Sequence, residues 1–350
     1  MRSFGSDNNS GIHPRILQAI KEANVDHAIG YGDDEWTRKA EEEIKKLLRK
    51  EDVQPLFVFN GTGANVVALQ ACTLSFHSIL CPTTAHIAVD ECGAPVKSTG
   101  ASLKEIATPD GKLTPELVQP RLQGFGFEHH SQPKVIAISQ TTELGTVYTP
   151  KEIKALADLA HQYEMYLFMD GTRLANACAY LNLSLKEMTI DCGVDIFTIG
   201  GTKNGLMMGE VVVPLRKELA ENLHYYRKQT TQLYSKMRFI SAQFISYFNE
   251  NIWLENARKS NAAAQRLANE MSKIEGIQLT QQVQSNSVFF ILPKPITDKL
   301  RERYFFYDWD ETRNEMRLVC SWDTTENDIS SFIDYLKQLT EQNDSCVPHA

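Results

Sequence analysis

Four times between residues 56 and 205 a short apolar run stops at glycines or polar side chains. Leu56-Phe57-Val58-Phe59 gives way to Asn60-Gly61-Thr62-Gly63, and Val135-Ile136-Ala137-Ile138 to Ser139-Gln140-Thr141-Thr142. Tyr166-Leu167-Phe168-Met169 ends at Asp170, and Val194-Asp195-Ile196-Phe197-Thr198-Ile199 ends at Gly200-Gly201. Amphipathic stretches separate the runs: helices are predicted over Ala64 to Leu74 and over Lys151 to Tyr163, the second opened by Pro150 at a first helical position. Strands apolar on both faces and alternating with helices belong to a mainly parallel sheet covered on both sides. The expected class is therefore α/β, with Gly209 to Val213 as a further strand. In such sheets the ligand lies beyond the carboxyl ends of the strands. That rule directs attention to Gly61–Asn65, Gln140–Gly145, Asp170–Arg173 and Gly200–Gly205.

Past residue 250 the texture changes. A long helix is predicted from Trp253 to Lys273, then strands around Asn286-Ser287-Val288 and Met316-Arg317-Leu318-Val319, then helices over Ile296–Arg303 and Glu326–Leu339. Residues 1–250 read as a large domain with an N-terminal arm, 251–340 as a small α+β domain, and 341–350 as a disordered tail. At 350 residues and 42% apolar, the chain can bury a sizeable core. A formal charge of −8 argues against nucleic acid as the main partner. No run is long enough to span a membrane, and the polar start lacks a secretory apolar region. Seven cysteines without a C-x-x-C pair read as thiols in a reducing cytoplasm, with no metal site.

Three strand ends carry chemistry. Gly61-Thr62-Gly63 after a strand and before a helix forms a cup of backbone N–H groups at the positive end of a helix dipole, suited to a phosphate. The third small residue of a dinucleotide motif is replaced by Val66, and no Gly-Lys-Ser/Thr follows, so neither a dinucleotide nor ATP is indicated. Taken alone, the motif is also compatible with an ordinary tight turn. Asp170 at a strand end, three residues before Arg173, is compatible with a paired buried carboxylate or a helix cap. Lys203 lies among Gly200-Gly201-Thr202 and Asn204-Gly205, where partial desolvation lowers an amine's pKa and makes it nucleophilic toward carbonyls; the alternative is a solvated loop lysine. In combination, a phosphate cup, an aspartate and a strand-end lysine match the needs of pyridoxal phosphate.

The chain resembles the threonine aldolase family of fold type I pyridoxal-phosphate enzymes, closest to its low-specificity bacterial L-threonine branch. The resemblance rests on Phe4-Gly5-Ser6-Asp7-Asn8, Tyr31-Gly32-Asp33-Asp34, Phe59 to Asn65, Ala85-His86-Ile87, Asp90 to Pro95, Met169 to Arg173, Gly200 to Gly205, Ser235-Lys236-Met237-Arg238 and Cys320-Ser321-Trp322-Asp323. It implies a fold type I, PLP-dependent-transferase-like architecture with a smaller C-terminal α+β domain. It implies Lys203 as the Schiff-base lysine, Asp170 as partner of the ring nitrogen, and Gly61, Thr62 and Gly63 as phosphate ligands. Arg173, Arg317 and Ser6 would hold the substrate carboxylate. His86 would stack on the cofactor ring and act on the substrate's 3-hydroxyl; the bland reading of His86 is a capping or core histidine. Arg238 would reach a phosphate across a subunit interface, and Tyr31 and Asp34 would serve sites shared between subunits of a homodimer or homotetramer.

One departure matters. Thr141-Thr142-Glu143 stands where many members carry Thr-His-Asn, so their second histidine is missing. His86, a bound water and Glu143 stand open as acceptors of the hydroxyl proton. Thr172 also replaces a more usual alanine. The implied activity is retro-aldol cleavage of L-threonine, L-allo-threonine and related 3-hydroxy amino acids, extending to phenylserine, into glycine and an aldehyde. The alternatives are β-elimination or racemization on the same cofactor, or a non-catalytic relative that binds it.

Overall fold

The computed structural model describes residues 2–344, apart from the side chains of 343 and 344. Its largest sheet has seven strands in the order Leu56–Val58, Glu210–Pro214, Ile196–Gly200, Tyr166–Asp170, Gln132–Ser139, His77–Pro82 and Ser102–Ile106. All neighbours are parallel except Glu210–Pro214, which runs antiparallel to both of its partners. The strands expected from the apolar runs are present. His77–Pro82 and Ser102–Ile106 were not anticipated: each mixes polar with apolar residues, which obscures the continuous run of a covered strand.

The central strands are buried on both faces. Below one face pack Ile44, Leu48, Leu156, Phe197 and Phe244; on the other lie Val67, Leu69, Phe168 and Val212. Helix Pro150–Gln162 begins with a complete capping box, Thr149 accepting from Glu152 and Glu152 accepting from Thr149, which satisfies donors that helix geometry leaves open.

A second core forms around a four-stranded antiparallel sheet ordered Tyr307–Asp310, Glu315–Val319, Ser287–Ile291 and Gln278–Leu279. Helix Ile252–Met271 joins the two cores, burying Ile252 and Ala257 in the first and Leu267 and Met271 in the second. The N-terminal arm, read as an appendage of the large unit, is inserted into this second core. Arg2–Ser3 pairs in parallel with Tyr304–Phe305, and Phe4 packs on Phe332 and Tyr304. A buried phenylalanine removes so much apolar surface from water that the arm is held in place.

The expected tail begins too early. The last helix, Glu326–Asp344, continues through 341–344, because Leu336, Leu339 and Thr340 prolong its buried stripe. Residues 345–350 lie outside the described residues. Among the described residues no helix is long and apolar enough to cross a membrane.

Candidate active site

Carboxyl ends of the parallel strands gather around Lys203, and the second sheet reaches the same region through Asn286 and Arg317, both near Asp7. The strand Ile196–Gly200 runs into a tight turn, Thr202–Asn204, that carries the lysine. Asn204 anchors this turn from below, donating to Tyr247 Oη at 2.6 Å and to the Trp253 carbonyl at 2.8 Å. Burial lowers the pKa of Lys203, helped by the nearby Arg173 charge and opposed by Asp7, Asp170 and Glu210. The lysine is thus desolvated, as its glycine-rich surroundings suggested.

Asp170 ends the neighbouring strand. Its Oδ1 accepts the Thr172 N–H at 2.9 Å and its Oδ2 the Asn65 amide at 2.8 Å. Chain crowding fixes this corner. A Cβ on Gly171 would sit 1.8 Å from the Thr198 carbonyl oxygen, and one on Gly200 would sit 2.0 Å from that of Thr172. Only glycine lets the two strand ends approach this closely.

Arg317, on a strand of the second sheet, comes near Arg173, which caps the helix Leu174–Leu181 after a strand of the first. Arg173 is held by Asp7, and Asn286 donates to the same carboxylate at 3.0 Å. Burial alone would raise the Asp7 carboxyl, but Arg173 and Lys203 hold it below its ordinary value. Arg317 lies over the Trp309 ring at 5.1 Å, and burial together with Arg173 lowers its pKa. Ser6, adjacent to Asp7, caps the turn Asp7–Asn9 by accepting from Asn8. Asp7, Asn286 and Glu210 lie outside the expected set. Asp7 sits in a quoted motif, but its partner is 166 positions away, and no local spacing reveals such a pair.

His86 opens a four-residue helix. Its Nδ1 meets Glu91 Oε1 at 2.8 Å, and its main-chain N–H donates to Glu143 Oε1 at 2.9 Å. The hydrogen bond to Glu91 raises the His86 pKa against the effect of burial. Burial raises the Glu143 carboxyl; Ser139 donates to its Oε1 at 2.6 Å.

At the cup, helix Gly61–Cys72 starts with Asn60 as its cap, which takes the Gly63 N–H at 2.8 Å. A cavity of about 560 Å³ opens here, lined by Asn60, Thr62, Gly63, Lys97 and Gln232. A Cβ on Gly63 would collide with the Gln232 side chain at 2.1 Å. Beside Arg317 a second cavity of about 710 Å³ is bordered by Thr84, Asp90, Tyr307 and Trp309. Thr84 Oγ1 and Arg317 Nε are buried there with no partner among the described residues, as befits groups that meet a ligand.

The remaining expected residues lie elsewhere in this chain. Asp34 is buried and caps helix Glu35–Leu48, using one oxygen for the Thr37 N–H and the other for its hydroxyl. This occupies both oxygens in local structure. Tyr31 is exposed, with Lys228 over its ring, and Arg238 donates to the carbonyls of Val25 and Asp26. No group of three or more His, Cys, Asp or Glu among the described residues is arranged to hold a metal.

A desolvated lysine at one strand end, an aspartate at the next and a helix-start cup in the same open sheet define the architecture of the fold type I pyridoxal-phosphate enzymes. Comparison with known proteins narrows this class. The model of the beta-eliminating lyase family matches residues 3–293. The chain is 39% identical over 327 residues to the low specificity L-threonine aldolase of a Pseudomonas strain, covering 93% of this chain and 94% of that one. It is 40% identical to the Pseudomonas aeruginosa enzyme of the same name, over 92% and 93% of the two chains. The solved structure of Leishmania major threonine aldolase superimposes with a TM-score of 0.92 at 31% identity, covering 97% of this chain and 100% of that one. The chain belongs to the beta-eliminating lyase family, within its threonine aldolase branch.

Proposed function

We propose that the protein is a pyridoxal-phosphate-dependent aldehyde-lyase that cleaves L-threonine, L-allo-threonine and related 3-hydroxy amino acids to glycine and an aldehyde. The observation that carries this reading is the placement of Lys203 in the turn after one central strand, with Asp170 at the end of the strand paired to it. The helix-start cup and its cavity fit the cofactor: Gly61, Thr62 and Gly63 would hold its phosphate, Asp170 its ring nitrogen, His86 its ring face and Lys203 its carbonyl carbon. When bound, the cofactor supplies the electron sink for the pair released as Cα–Cβ breaks.

The chain's own residues do the rest. Lys203, its ammonium disfavoured by burial, gives up its proton more readily than a surface lysine does. Arg173 and Arg317 clamp the substrate carboxylate, with Ser6 beside them, which fixes the orientation of the bond to be broken. His86 accepts the 3-hydroxyl proton. Such general-base assistance contributes about 10²–10⁴-fold.

Arg238 acts across a subunit interface in a homodimer or homotetramer. Exposed apolar side chains support such an assembly: Val25, whose carbonyl accepts from Arg238, and the contacting pair Phe59 and Tyr234. Tyr31 and Asp34 would serve that shared site, Asp34 from the start of the helix it caps. The described cysteines are free, which fits a reducing cytoplasm.

The test is an absorbance spectrum before and after addition of L-threonine, with acetaldehyde and glycine assayed in the same tube. Lys203→Ala abolishes both the visible band and turnover if the reading is right; retained turnover rejects it. The family model's description favours one second reading, β-elimination. Pyruvate and ammonia from L-serine, without aldehyde from L-threonine, would select it.

A further inference from the structure

Behind His86 runs a buried chain of polar groups to which the mechanism above gives no task. Glu91 Oε1 contacts His86 Nδ1 at 2.8 Å and accepts from Asn65 Nδ2 at 2.7 Å. The same Asn65 nitrogen donates to Asp170 Oδ2 at 2.8 Å. Asn65, Glu91 and Asp170 are 2%, 4% and 6% exposed, so none of these bonds is shared with bulk water. A carboxamide nitrogen has two hydrogens, and two carboxylates use both. Asn65 Oδ1 and Glu91 Oε2 are left buried without partners. Such an arrangement is costly unless the bonds it does make are needed.

We propose that Glu91 and Asn65 are positioning residues that set His86 as the proton acceptor and tie it to the ring-nitrogen partner Asp170. Burial raises the Glu91 carboxyl, and the hydrogen bonds from His86 and Asn65 oppose that by stabilising its charge. Once ionised, Glu91 Oε1 can only accept, so the proton between it and His86 then belongs to Nδ1. Neutral His86 therefore carries its lone pair on Nε2, the nitrogen away from Glu91. The exposures agree: the His86 side chain keeps 34% of its surface open while that of Glu91 keeps none. Asn65 holds the carboxylates of Glu91 and Asp170 one amide apart, where two bare carboxylates would repel.

The charges facing His86 are Glu91, Asp170 and Lys203, with Glu143 on its main-chain N–H. Glu91 is the one that contacts the ring. Removing its charge destabilises the imidazolium and makes His86 a weaker base that stays neutral to lower pH.

This inference rests on the functional reading only in naming His86 as the acceptor. Its test is therefore made first on cofactor-free protein. The His86 imidazole is titrated by NMR, its resonance assigned by its loss in His86→Gln. In Glu91→Gln, which keeps shape and loses charge, the titration is expected to move down by about 1 pH unit. The acid limb of kcat/KM for the loaded enzyme should move the same way. Asn65→Leu should shift the titration the opposite way, upward and by less, because Glu91 and Asp170 keep their places but lose the amide hydrogens that partly neutralise their charge beside the imidazole. An unmoved titration in Glu91→Gln, whatever happens to turnover, overturns the role of Glu91. An unmoved titration in Asn65→Leu overturns that of Asn65. Absence of aldehyde from the unaltered enzyme would reject the functional reading instead, and the imidazole titration would still decide the relay.

Discussion

Asp7 and Arg173 form a bidentate pair, Nε and Nη2 each 2.8 Å from a carboxylate oxygen, between an N-terminal arm and the end of a central strand. Both partners are largely withdrawn from water. The pair orients the guanidinium before any substrate arrives, and it fastens the arm, with Ser6, to the site. Asp7→Asn removes the counter-charge and leaves Arg173 buried. The expected loss is about 3–5 kcal/mol, the usual range for breaking a buried pair from one side. It is measured as a lower midpoint of denaturant unfolding, with a raised KM for the amino acid. The native pair also has a pH signature. Because the folded Asp7 pKa is depressed, its contribution is fully present above the ordinary aspartate value and is lost as pH falls toward the folded one. The stability gap between native and Asp7→Asn proteins should close on acidification. A gap that stays constant down to acid pH would show that the pair does not stabilise the fold.

Glu210 gives the opposite sign. It lies on the antiparallel strand beside Lys203, accepts the Gly201 N–H at 2.8 Å, and burial pushes its carboxyl up to about 7. A carboxyl with a raised folded pKa binds its proton more tightly folded than unfolded. Its ionisation therefore destabilises the fold progressively from the unfolded value near 4.3 up to about 7. Glu210→Gln keeps the acceptor for Gly201 and removes that penalty. The variant should gain thermal stability relative to the native protein as pH rises through this window. A difference independent of pH would contradict it.

The close approach at Gly171 makes a steric prediction. Gly171→Ala places a methyl 1.8 Å from a backbone oxygen, which no rotamer change relieves. The strand ends bearing Asp170 and Lys203 must move apart. A loss above about 4 kcal/mol, or failure to accumulate folded protein, is expected. Near-native circular dichroism and melting in this variant would count against the packing described.

His86 and Glu143 are separable by mutation. His86→Ala removes the proton acceptor and should lower kcat by about 10²–10⁴-fold. Glu143→Gln retains an oxygen for the His86 N–H and the Ser139 hydroxyl, so its kcat should fall less than about tenfold. Steady-state kinetics on L-threonine decide; the reverse order would make Glu143 the base.

Much of this arrangement was legible in the residues. The glycine and polar breaks after apolar runs located the strand ends, and Gly61, Asp170 and Lys203 all lie at them. Pro150 announced a helix start, and the structure adds a capping box there between Thr149 and Glu152. The partners were not legible. Glu91 and Asn65 lie in quoted motifs, yet their bond joins positions 26 apart and the next joins positions 105 apart. Nor was it legible that Asp34, read as serving a site shared between subunits, also caps helix Glu35–Leu48.

By itself, the sequence determined where the continuously apolar strands end and which chemical groups stand just beyond them. These are local matters of periodicity, turn chemistry and side-chain type, decided within a few residues. Only the tertiary structure decided that Phe4 enters the second core, that Asp7 neutralises Arg173, and that one asparagine serves two carboxylates. A buried charge or amide must find partners wherever the packed chain brings them, and that requirement is met across the whole fold.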